Sequence, residues 1–142
     1  MQQLKEQLTE DGMALDAMQA KYQDRLQADF QWCDSMLQYM PQQQIDECFP
    51  VLNLAQAYLS QFDEMLPVMQ HDISYSRQQL NALKKDIDSH FINESLAAEY
   101  LADETAVIDT LHYRILYFQD RLSDQDQKLK GLRKTISKTI GN

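Results

Sequence analysis

Apolar residues recur along this chain in steps of three and four. From Leu52 they run Leu52, Ala55, Leu59, Phe62, Leu66, Met69, Ile73, Leu80, Leu83 and Ile87, with Ser76 and His90 as polar members of the same series. Such spacing alternates around the heptad period and keeps one stripe of a helix against a partner. It predicts a helix over about 51–92. A second series, Leu101, Glu104, Ile108, Leu111, Ile115, Phe118, Leu122, Gln125, Leu129, Leu132 and Ile136, predicts a helix over about 95–140. A first helix over about 2–40 follows from Leu4, Leu8, Leu15, Met18, Tyr22, Leu26, Phe30, Cys33, Leu37 and Met40.

The interruptions set the topology. Pro41 and Pro50 bracket "MPQQQIDECFP", which reads as the first connection, and "SHFINES" reads as the second, with Asn93 or Ser95 able to cap the helix that follows. Pro67 stands one place past Leu66, off the apolar stripe, and the series continues in phase beyond it. A bend near Pro67 is therefore expected rather than a break. If the helices fold back on one another, Ile87 comes opposite Leu101, Ile73 opposite Ile115 and Met40 opposite Leu52. Only the four-residue steps Met18, Tyr22, Leu26 and Phe30 disturb this register, and they predict a local change of winding. The expected fold is a single all-α domain over 1–142, an elongated antiparallel three-helix bundle with coiled-coil-like heptad packing. Helices of ~40 residues would make a rod ~60 Å long.

Composition narrows the function classes. Three Gly and three Pro in 142 residues suit long helices. The longest apolar runs fall far short of the ~20 residues a membrane span needs. The opening "MQQLKEQLTEDG" lacks the basic start and apolar stretch of a secretory signal. The helical pattern begins at Leu4, so a leading segment is not excluded: the reading is cytoplasmic as the chain stands, periplasmic or envelope if a signal once preceded it. Two cysteines are too few for a disulfide framework or a zinc site. Cys33 falls on the apolar stripe and Cys48 in the first connection, so both are expected as free thiols.

Candidate chemistry is sparse. Asp109 and His112 have the carboxylate-to-histidine spacing of di-metal bundles, but the second copy and the additional inward acids that such a centre requires are missing. No catalytic set, cofactor site or metal site is assigned. His71, Tyr75, His112, Tyr113 and Tyr117 fall at similar heights on neighbouring helices and form a candidate surface patch. Glu104, Gln125, Ser76 and Asp11 interrupt apolar stripes, the usual place for a polar residue that fixes register. Asp11 beside Gly12 is expected to loosen the start of the first helix, and His90 to lie solvated at a helix end. Charge is the least even feature. The net charge is −9, yet Lys128, Lys130, Arg133, Lys134 and Lys138 follow Asp126 with no further acid. These five are the candidate partner-docking residues, and they also suit the negative end of a helix dipole.

The architecture resembles spectrin-like and other three-helix rods, a likeness of shape and not of signature residues. The sequence as a whole reads as a non-enzymatic structural or adaptor module that binds a protein partner, with a second copy of itself among the candidates. The alternatives are an extracytoplasmic, envelope or lipid-tethered helical module and a membrane-surface bundle. The acidic balance argues against membrane contact and against nucleic acid.

Overall fold

The computed structural model describes residues 1–141, and the chain is an all-α, three-helix bundle. The first helical stretch comprises α1 (Gln2–Met18), a π-helical segment (Gln19–Leu26), α2 (Gln27–Met36) and a 3-10 turn (Leu37–Tyr39). The second stretch is α3 (Gln42–Asp88) and the third α4 (Glu94–Ile140). These stretches build two compact units, residues 1–16 with 66–116, and residues 17–65 with the chain from 117 onward.

In the first unit, α1 runs antiparallel to α3. Arg77 donates to the Thr9 hydroxyl at 3.2 Å, and Met1, Gln2 and Lys5 border the same hollow as Lys84, Ile87 and Asp88. Its core holds Leu8, Leu15, Leu66, Met69, Ile73, Leu80, Leu83, Ile108, Leu111 and Ile115, all buried. Fully burying one such side chain contributes ~1.5 to 3 kcal/mol. In the second unit, Phe62 and Phe118 meet with ring centroids 5.9 Å apart, beside buried Tyr22, Leu26, Phe30, Leu59, Leu122 and Leu129. Most of the positions selected by three-and-four spacing thus leave solvent, while Leu4, Ile87, Leu101, Glu104 and Leu132 toward the helix ends are only partly covered and His90 is exposed.

The change of winding appears where the four-residue steps place it. Residues 19–26 are π-helical, and the Gln27 amide bonds back to the Tyr22 carbonyl, five residues earlier. A helix closed by such longer bonds takes more residues per turn. Steps of four, Met18 to Tyr22 to Leu26, can then stay on one side, and all three are buried.

The start of the second stretch corrects the sequence reading. Residues 42–50, expected as a connection, are helical, and α3 begins at Gln42 rather than near 51. The Pro41 carbonyl accepts the amides of Gln44 and Ile45, each at 3.0 Å, so this proline starts the helix instead of opening a loop. Pro50 lies within α3, and Cys48 is a buried helical residue rather than a loop thiol. Both cysteines are free. α3 also continues through Pro67 without a non-helical residue.

Its end is closed by a backbone motif. His90 takes a left-handed φ of 59°. The Phe91 amide bonds the Asp86 carbonyl at 2.9 Å and the His90 amide bonds that of Ile87 at 3.1 Å, the paired bonds of a Schellman cap. Asn93 then caps α4, its side-chain oxygen accepting the Leu96 amide at 2.8 Å.

Candidate functional site

Two ring pairs form among the residues proposed as an aromatic and histidine patch. His71 stacks on Tyr75, with centroids 6.3 Å apart. Tyr113, among the most exposed large residues, stands 6.0 Å from His112. Tyr117 belongs to the second unit, where Arg121 lies over its ring at 5.3 Å. Asp109 is exposed.

His112 is not simply a surface group. Its Nδ1 lies 2.8 Å from Oδ1 of Asp11, a carboxylate whose side chain is only 3% exposed. The Gln7 side-chain nitrogen lies 3.0 Å from that oxygen and 3.0 Å from the imidazole nitrogen. An amide nitrogen and a carboxylate cannot both be satisfied by one unprotonated ring nitrogen. In the tautomer with hydrogen on Nδ1, the imidazole donates to Asp11 and Gln7 is a second donor to the same oxygen. Asp11 Oδ2 and the Ser76 hydroxyl are buried without a hydrogen-bond partner among the described residues. Far from loosening the helix, Asp11 is helical and ties α1 to α4.

That role was missed because Asp11 was read as an interruption. The available signal was its place between Leu8 and Leu15 in the three-and-four series: a carboxylate on a buried stripe must find a donor. Chemically the arrangement is an oriented imidazole that pins α1 against α4. Further along the first unit, Glu104 borders a hollow with Asp86, Tyr100 and Asp103. Burial first, and then Asp103, push its carboxyl above the usual range.

The basic residues are gathered more closely. Lys130, Arg133, Lys134 and Lys138 line one open cleft with Ser137 on the last turns of α4. Lys128 lies outside this lining and pairs with Asp124 at 3.1 Å. Lys130 pairs with Asp126 at 3.0 Å. Arg133 is held by Asp29, and its guanidinium lies 4.7 Å from the ring centre of Trp32. Among the described residues Lys134 makes no ion pair.

No group of three or more His, Cys, Asp or Glu residues is placed to hold a metal ion among the described residues. No helix among them is long and apolar enough to cross a membrane. Compared with protein-family models, curated proteins and solved structures, the chain matches none.

Proposed function

We propose that this protein is a non-enzymatic helical bundle that docks an acidic segment of a partner protein in the basic cleft of α4. The observation that carries the reading is the convergence of Lys130, Arg133, Lys134 and Lys138 on one cleft in a chain of net charge −9. A local cationic wall on an acidic molecule speeds encounter with acidic partners and rejects basic ones. The acidic remainder opposes long polyanions such as nucleic acid, which extend beyond the cleft.

The test is capture of partner from cells of the native source, by wild type and by the variant with Lys130→Glu, Lys134→Glu and Lys138→Glu, across a salt titration. The expected result is salt-sensitive capture by wild type and loss of that partner with the variant, at similar melting midpoints. Equal capture at every salt concentration overturns the reading.

A further inference from the structure

Resting on the reading of the basic cleft as a docking site, we propose that its occupant is a short acidic peptide segment carrying one apolar anchor, selected by the cleft's aliphatic walls as well as by its charge. The walls are mostly carbon, because the long stems of Lys130, Arg133, Lys134 and Lys138 surround the small Ser137. Lys130, Arg133, Lys134 and Ser137 lie at three- and four-residue spacing on one helix face, and Ile140 extends that row with more than a third of its surface exposed. The cleft is open to solvent and its lining comes from α4 alone, so it suits one side chain of a peptide lying across the helix.

The charges by themselves discriminate poorly. Arg133 is already engaged by Asp29 and Trp32, and Lys130 by Asp126. A bare polyanion must compete with these internal acids, and its gain is screened by salt. An apolar side chain faces no such competition, since it covers lysine and arginine stems that otherwise contact water. Flanking carboxylates can then meet Lys134 and the rim while the anchor occupies the centre, an apolar core with a polar surround. An extended anionic lipid surface is disfavoured because it would also meet Asp124, which stands exposed close by in the sequence.

Trp32 is the sole tryptophan of the chain and lies against Arg133, so its fluorescence reports occupancy of the cleft. The full chain is titrated with a heptapeptide of Asp and Glu bearing a central Phe, and with the same heptapeptide bearing Ser instead. Fluorescence polarisation of labelled peptides gives Kd independently. The Phe peptide is expected to bind about tenfold or more tightly than the Ser peptide and to change Trp32 emission, a difference that survives added salt. Ser137→Glu, which puts a carboxylate in the cleft, should weaken the Phe peptide by about tenfold or more with unchanged circular dichroism. Lys134→Met, which keeps the stem and removes the charge, should weaken both peptides alike.

Equal affinity for the two peptides overturns the anchor while leaving the docking site intact. Binding of neither peptide, together with equal partner capture by wild type and the triple Lys→Glu variant, removes both readings. Tighter binding to phosphatidylserine-containing vesicles than to the Phe peptide, abolished by Ser137→Glu, assigns the cleft to a lipid surface and overturns the proposal. Self-association that blocks the Phe peptide and is lost with Ser137→Glu assigns it to a second copy and likewise overturns it.

Discussion

Asp11 on α1 and His112 on α4 are joined by a 2.8 Å hydrogen bond, and the carboxylate is almost wholly withdrawn from water. Removing only the histidine leaves a buried carboxylate with Gln7 as its remaining donor. His112→Ala should therefore destabilise the chain by about 1 to 3 kcal/mol in urea melts. Asp11→Leu combined with His112→Leu continues the apolar stripe between Leu8 and Leu15, and should be as stable as wild type or more so. A double variant at least as unstable as His112→Ala would show that the pair does not behave as one unit.

His90 is held at a φ of 59°, where a β-carbon is unfavourable. Glycine at this helix terminus relieves the crowding, although it gains freedom in the unfolded chain. His90→Gly should raise stability by about 0.5 to 1 kcal/mol. His90→Val, which resists the left-handed region more strongly, should lower it. The two denaturation midpoints must move in opposite directions.

Burial pushes the Cys33 thiol up to about 11 from an ordinary 9.0, with Asp29 adding to the rise and Arg133 opposing it. Since the folded value is the higher one, the thiol's contribution is fully present below the unfolded pKa and is lost as pH rises through the folded value. Stability measured against Cys33→Ala should stay flat to about pH 8.5 and then fall by on the order of 2 to 3 kcal/mol toward pH 11. The comparison with the variant cancels ionisation of tyrosines and lysines. Parallel stability curves for the two proteins between pH 8 and pH 11 would contradict the assignment.

The fold was legible wherever a local pattern and burial obey the same rule. Leu52 to Leu83 and Ile108 to Leu129 are spaced for one helix face, and nearly all of these positions are buried. The slip at Met18 to Phe30 was likewise written in the spacing. The stretch from Pro41 to Pro50 was misread because proline was given more weight than periodicity. Ile45, Cys48 and Leu52 already continue the three-and-four steps, and glutamine and glutamate are good helix formers. A proline early in a helix also removes less hydrogen bonding than one deeper inside, since the first amides lack internal partners. The cations of the cleft were visible as a run of charge. The pairing of Arg133 with Asp29 and Trp32 was not, because it depends on which faces of α2 and α4 meet.

Pro50 supplies a test in which loop and helix give opposite signs. It lies nine residues into α3, where an ordinary residue would donate its amide to the Asp46 carbonyl. Proline withholds that hydrogen bond, and its ring crowds the preceding turn, at a cost of ~3 kcal/mol in a regular helix interior. Pro50→Ala restores the donor and should stabilise the protein by about 1 to 3 kcal/mol, the lower end applying if α3 already adjusts around the ring. In a connecting loop the same substitution would release unfolded-chain freedom with no bond to regain, and would destabilise by about 0.4 to 1 kcal/mol. Urea melts of wild type and Pro50→Ala give the sign. Hydrogen exchange gives the cause: the amides from Asp46 to Phe49 should be protected in wild type, and the new amide at position 50 should join them. Destabilisation together with rapid exchange across 46–49 would return this segment to a loop.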